Sequence, residues 1–131
     1  MIRFIDTAIV TRYISLLDKE EQKTTFLLSP LTSREVQLIN DATVIISATA
    51  KDGGGVEIKQ TLRNRLFAQL GLRGWENAGK PFTAEPLSVL GLPKKDLIAE
   101  SLLDQLPVDL VNELGEKVAE MSLSAGIPEK N

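Results

Sequence analysis

The chain has 131 residues, 43% of them apolar and 25% charged, with a net charge of −3; this is the composition of a soluble globular protein long enough to bury its own core. It contains neither cysteine nor histidine, which excludes a disulfide framework, thiolate chemistry, the usual zinc sites and a histidine-based nucleophilic triad. No cofactor is expected, no nucleic-acid partner is expected of a net acidic chain, and the chain is not expected to be an enzyme.

No apolar run approaches the length of a membrane span. The first residues, MIRFIDTAIV, carry Arg3 and Asp6 where a signal peptide would be apolar. No membrane partner is therefore expected, and the cytoplasm is the expected location.

In chain order, AIVTRYIS (Ala8 to Ser15) and TTFLL (Thr24 to Leu28) are rich in β-branched and aromatic residues and flank the charged bridge DKEEQK. This pattern predicts a β-hairpin with a long polar loop, ended by Pro30. In LTSREV, Thr32 and Glu35 have the spacing of a capping box, and Leu31 and Val36 that of a hydrophobic staple. A helix from Ser33 to about Asp41 is predicted. TVIISATA, the turn KDGGG and the alternating VEIKQ predict a second hairpin; the β-branched residues and consecutive glycines argue against a helix there. Leu62, Leu66 and Leu70 then share one stripe of a helix over Leu62 to Leu70, with Gly71 as its left-handed stop.

Next comes LRGWENAGKPF, which reads as a loop and holds the chain's single tryptophan. Two roles for Trp75 are open. In one, the indole packs between the second helix and the C-terminal helices, its N–H finds a carbonyl, and Asn77 holds the turn. In the other, Trp75 and Phe82 form the lip of a binding groove.

Asn77 to Pro81 joins two halves of different character. Pro93 suits a first helical turn, and Leu97, Ile98, Leu102 and Leu106 recur at helical spacing up to the break at Pro107. A last helix from Val108 to Ser122 carries Val111, Leu114, Val118 and Met121 in steps of three and four, with Asp109, Glu113, Glu116 and Glu120 mostly on other faces. Gly115, inside this helix, costs about 1 kcal/mol relative to alanine; it marks a close approach by another backbone or plain drift. The expected fold class is α+β: N-terminal β-hairpins packed with α-helices, followed by an all-helical C-terminal half. The expected organisation is a single domain over 1–131, with an α+β half at 1–76, a helical half at 82–123 and a frayed tail at 124–131.

Few residues group as chemistry would require. Asp109 with Glu113 and Glu116 with Glu120 have the four-residue spacing of a solvated helix face. DGGG lacks a following Gly-Lys-Ser/Thr, and GLRGWENAG is no dinucleotide fingerprint. Lys59, Arg63, Arg65 and Arg73 form one basic cluster, read as helix solubility and dipole complementarity.

Taken in order, FLLSPLTSREV, LGLRGWEN, GKPF and LLDQLPVDLVNELGEKVAEMS resemble the small tail assembly chaperones of tailed phages and prophages. That family's pattern has Leu-x-Pro-Leu-Thr before the first helix and Gly-Leu-x-Gly-Trp-x-Asn after the second. A Pro-Phe then leads to a terminal helix opened by Leu-Pro. Here these elements are Leu28, Pro30, Leu31, Thr32 and Glu35; Gly71, Leu72, Gly74, Trp75 and Asn77; Pro81 and Phe82; and Leu106, Pro107, Leu110 and Leu114. The stretch from Thr83 to Ser101 departs from the pattern.

The resemblance implies a non-catalytic protein of the bacterial host cytoplasm. It would bind and solubilise the phage tape measure protein, or another tail protein, during tail morphogenesis, with self-association compatible. Thr32, Glu35, Gly71, Gly74 and Asn77 are the expected structural residues. Trp75, Phe82, Leu110, Val111, Leu114, Val118 and Met121 are the expected partner contacts; read by themselves, the leucines and valines among them are core. The alternatives are a structural virion component, such as a tail-completion or head-tail connector subunit, and a small regulatory adaptor for a host protein.

Overall fold

The computed structural model describes residues 1–2, 4–47 and 55–124. β1 (Thr11–Ile14) and β2 (Thr25–Leu28) form the expected antiparallel hairpin over a shorter first strand, with Tyr13 opposite Phe26. Asp18 shapes the loop between them: its carboxylate accepts the Thr24 N–H at 2.9 Å and the Glu20 N–H at 3.0 Å. Those two bonds hold its pKa below the usual carboxylate value.

The capping box forms at the start of α1 (Ser33–Thr43). The Thr32 side chain accepts the Glu35 N–H at 3.1 Å, and the Glu35 carboxylate accepts the Thr32 N–H at 2.9 Å. Leu31 and Val36 are both buried, as a staple requires. Glu35 also works at longer range, because Lys94 reaches its carboxylate at 2.7 Å. Burial pushes the Glu35 carboxyl up, but the Lys94 and Thr32 hydrogen bonds outweigh it and hold the pKa below its ordinary value.

β3 (Val44–Ser47) and β4 (Gly55–Ile58) pair antiparallel as the second hairpin. The turn expected over KDGGG lies, apart from Gly55, outside the described residues, as does the tail beyond Ser124. α2 (Gln60–Gly71) follows, with Leu66 and Leu70 buried and Leu62 exposed. Gly71 is not a left-handed stop. It is the last residue of α2, and the chain leaves through Leu72 in an extended conformation, φ −79° and ψ 115°. A Cβ on Gly71 would lie 2.7 Å from Val118 Cγ2 and 3.0 Å from the Ser29 carbonyl oxygen, so its lack of a side chain serves packing.

The first part of the tryptophan stretch is a strand rather than a loop, while Asn77 to Phe82 does form a loop. β5 (Leu72–Glu76) pairs antiparallel with β2, giving a three-stranded sheet of order β1-β2-β5. Gly74 sits opposite Leu27, and a bulge separates Leu27 from Leu28.

The expectation of an all-helical C-terminal half is overturned. β6 (Ala84–Val89) and β7 (Leu92–Ile98) form a third antiparallel hairpin. Its two-residue turn is Leu90-Gly91, both at positive φ, 53° and 78°. Turns of that hand match the twist of the flanking strands. Pro93 lies in β7 opposite Ser88, and Pro86 sits where the register shifts between Glu85 and Leu87, a position that tolerates a missing N–H. Leu97 and Ile98 therefore enter the core from a strand.

α3 (Glu100–Leu103) is a single turn, and its first N–H, on Glu100, is accepted by Glu85 Oε1 at 3.0 Å. Leu106-Pro107 then turns the chain into α4 (Val108–Ser124). The Pro107 carbonyl accepts the Val111 N–H at 3.0 Å, and proline's missing N–H loses nothing at a helix start.

α4 crosses α2 at very short range. A Cβ on Gly115 would collide with the Asn64 carbonyl, lying 2.6 Å from its carbon and 2.7 Å from the Asn64 Cα. Further along, Val118 fills the space left by Gly71. Ser122 ends the contact: its hydroxyl accepts the Leu31 N–H at 2.8 Å and donates to the Val118 carbonyl at 2.7 Å. Leu28, Ile39, Phe67, Leu103, Leu114 and Val118 are the fully buried centre of the core around this crossing.

Alanine exceeds glycine in helix propensity by about 1 kcal/mol, yet Gly115→Ala is expected to destabilise the chain by about 1–3 kcal/mol in urea unfolding, because the obstacle is backbone. Gly79→Ala, with nothing within 4 Å of the added carbon, is expected to stay within about 0.5 kcal/mol of the wild type. A Gly115→Ala chain as stable as the wild type would contradict the close crossing.

Candidate functional site

Pairing of β2 with β5 sets Phe26 directly opposite Trp75. Opposed residues on neighbouring strands share a face, and these two rings meet edge-to-face with centroids 6.1 Å apart. Phe82 meets the same indole edge-to-face at 5.1 Å. Both contacts place a ring edge against a ring face, the arrangement favoured by the aromatic quadrupole.

The indole N–H donates to the Lys80 carbonyl at 2.7 Å and closes the segment between them. Asn77 turns the chain out of β5 at φ 59°, a conformation that asparagine tolerates. Its carbonyl accepts the Thr24 hydroxyl at 2.8 Å. The tryptophan is thus held by a neighbouring strand, a phenylalanine and its own loop.

Beside the indole lies a cavity of about 300 Å³. Phe26, Trp75, Leu102, Leu106 and Leu110 supply its large apolar lining, and Lys80, bonded to Gln105, lines it as well. Phe26 and Leu110 also line a neighbouring, wider cleft of about 800 Å³. The charged residues lining that cleft are Asp18, Glu20 and Asp109, all acidic. The arrangement can receive apolar side chains at one end and cations at the other.

The residues expected to touch a partner do not stay together. Trp75 and Leu110 line the cavity, and Phe82 backs the indole. Val111, Leu114 and Val118 are 6%, 0% and 0% exposed; their stripe is the one α4 lays on α2, so they are core. Met121 is half-buried and faces a separate small cavity with Phe4 and Ile9. About 16 Å of helix axis separates it from Leu110. Phe26, Leu102 and Leu106 are cavity walls that sequence reasoning did not assign. Leu106, beside Pro107 at the corner into α4, carried the one usable signal.

Glu113 departs from the solvated-face reading. Its carboxylate accepts the Tyr13 hydroxyl at 2.5 Å, the Ser15 hydroxyl at 2.6 Å and the Leu16 N–H at 2.8 Å, and so ties the first hairpin to α4. Burial pushes its pKa up, but the Ser15, Tyr13 and Leu16 hydrogen bonds outweigh it and hold the pKa below its ordinary value. Burial and the bond to Glu113 push the Tyr13 phenol up to about 12. The basic cluster is similarly divided. Arg63 stacks over Phe67 at 4.8 Å and bonds Asn40, while Arg65 pairs with Asp104 at 2.5 Å. Among the described residues, no group of His, Cys, Asp or Glu is placed to hold a metal ion.

Comparison with models of known protein families, with curated proteins and with solved structures returns no match.

Trp75→Phe keeps a ring between Phe26 and Phe82 but loses the bond to Lys80, an expected loss of about 1 kcal/mol. Trp75→Ala, which removes a half-buried aromatic, is expected to lose about 3 kcal/mol, the low end for aromatic truncation. Equilibrium unfolding checks both, and wild-type stability for Trp75→Ala would show that the ring does not anchor the sheet.

Proposed function

We propose that this chain is a tail assembly chaperone that holds an apolar helical segment of a phage tape measure protein in the cleft beside Trp75, in the cytoplasm of the bacterial host. One observation carries the reading. Trp75, from one stretch that bears the resemblance, and Leu106 and Leu110, from another far away in the chain, line the same apolar cavity.

The physical task of such a protein is to cover exposed leucines on a long helical rod until the tail tube replaces it. A groove walled by Phe26, Trp75, Leu102, Leu106 and Leu110 suits helix-in-groove recognition, with the half-buried tryptophan in the role of hot spot. Binding is driven by apolar burial and carries a negative heat-capacity change. Release follows when a competing surface takes the same leucines.

A second reading, a structural virion component, is favoured by a different surface. β1 is the edge of its sheet, and Ile2, Phe4, Ile9 and Ile14 are exposed around it, a surface suited to association between copies.

Coexpression separates the two. On the chaperone reading, the cognate tape measure protein is expected to stay soluble in the presence of this chain and to elute with it in gel filtration. Leu106→Asp and Leu110→Asp, both half-buried wall residues, are expected to abolish the rescue while circular dichroism is unchanged. A tape measure that remains insoluble, with no complex formed, would sink the chaperone reading. Detection of the chain in purified particles would then favour the virion component.

A further inference from the structure

We infer that the cleft selects its client by charge: it takes a helix whose apolar stripe enters the cavity between Trp75 and Leu106 and whose flanking lysines or arginines lie over Asp18, Glu20 and Asp109. This inference rests on the reading of the cleft as a client groove and adds the chemistry of the client.

Among the described residues, every charged one lining the wide part of the cleft is a carboxylate. Glu20 and Asp109 are exposed, and Asp18 is held in place by the Thr24 and Glu20 N–H groups. Lys23 stands beside Asp18 and donates to its carbonyl at 2.6 Å, so Glu20 and Asp109 carry most of the field. Carboxylates beside apolar, low-dielectric walls focus that field and raise the local concentration of cations. The chain's net charge of −3 acts in the same direction at long range. Among the described residues, Lys80 is the one basic group lining the narrow cavity, and it is engaged with Gln105.

β2, which brings Phe26 to the cavity, is paired on one side by β1 and on the other by β5. It has no free edge to offer an extended peptide, whereas β5, which brings Trp75, is an outer strand of the sheet. The helical form of the client comes from the reading on which this inference rests, and a helix meets the cavity through side chains alone. Nor does a second copy of the chain fit well. The exposed face of α4 carries Asp109, Glu116 and Glu120, and laying it in the cleft would set carboxylates against carboxylates.

The test uses the full chain and two tryptophan-free helical peptides that share one leucine stripe. Lysine flanks the stripe in one peptide and glutamate in the other. Trp75, the only tryptophan, reports occupancy by its emission. The lysine peptide is expected to bind about ten-fold tighter than the glutamate peptide at low ionic strength, with the ratio closing toward unity in about 0.5 M salt. In Glu20→Lys, and in Glu20→Lys with Asp109→Asn, the low-salt ratio is expected to fall several-fold while the high-salt affinity is unchanged. Equal, salt-independent binding of both peptides would overturn charge selection and leave the client groove standing. No emission change with either peptide would overturn both. An emission shift that follows chain concentration alone would put a second copy in the cleft, and the inference would fail.

Discussion

The contact on which the rest depends is the crossing of α2 and α4, where Gly115 rests on the backbone of Asn64 and Val118 fills the space at Gly71. Helices come this close only where a side chain is missing, and here each helix supplies one glycine. The crossing fixes α4, and α4 fixes much else. Its Glu113 takes three hydrogen bonds from the first hairpin, its Ser122 accepts the Leu31 N–H, and its first turns bring Leu110 to the cavity. A shift of the helix by one methyl group's width would disturb all of these together. Interiors packed at crystal density leave no slack to absorb it.

The candidate site lies at the edge of this framework. Its walls come from β2, β5 and the corner between α3 and α4, so no single element could form it. Phe26 is held by sheet pairing, Trp75 by two aromatic edges and the Lys80 carbonyl, and Leu106 by the turn into Pro107. Rigid support for an exposed apolar surface is what a binding site needs, because a preorganised groove loses little entropy when it is filled. The apolar cavity and the acidic cleft share Thr24, Phe26, Ala78, Gly79 and Leu110 as lining, so the two lie side by side.

What could be read from the chain was local. Thr32 and Glu35 define a helix start from within four residues, and that helix forms with both bonds in place. The first two hairpins were legible from β-branched runs bounded by polar bridges, and α4 from its stripe. The indole N–H finds a carbonyl and Asn77 makes a turn, as the residues themselves suggest, but Leu72 to Glu76 reads as a loop because its strand exists only through pairing with β2, more than forty residues away in sequence. The segment from Ala84 to Ile98 was misjudged for another reason. Leu97, Ile98, Leu102 and Leu106 satisfy helical spacing across what is a strand, a helical turn and a corner, and the hairpin turn hides its signal by placing Leu90 where asparagine is usual. Gly115 stood out as an anomaly, yet only the fold could supply Asn64 as its partner. The same limit explains why Val111, Leu114 and Val118 were candidate contacts: an amphipathic stripe shows that a helix buries one face, not which surface covers it.

The central claim is that a helical client lies between the tryptophan segment and the start of α4. Hydrogen exchange on the chain, free and bound to its client, tests this most directly. Exchange is expected to slow in Asn77 to Lys80 and in Gln105 to Leu110 on binding, with the segment from Phe4 to Ile14 unchanged. Slowed exchange confined to Phe4 through Ile14, with none around Trp75, would contradict it and move the binding surface to the edge of β1.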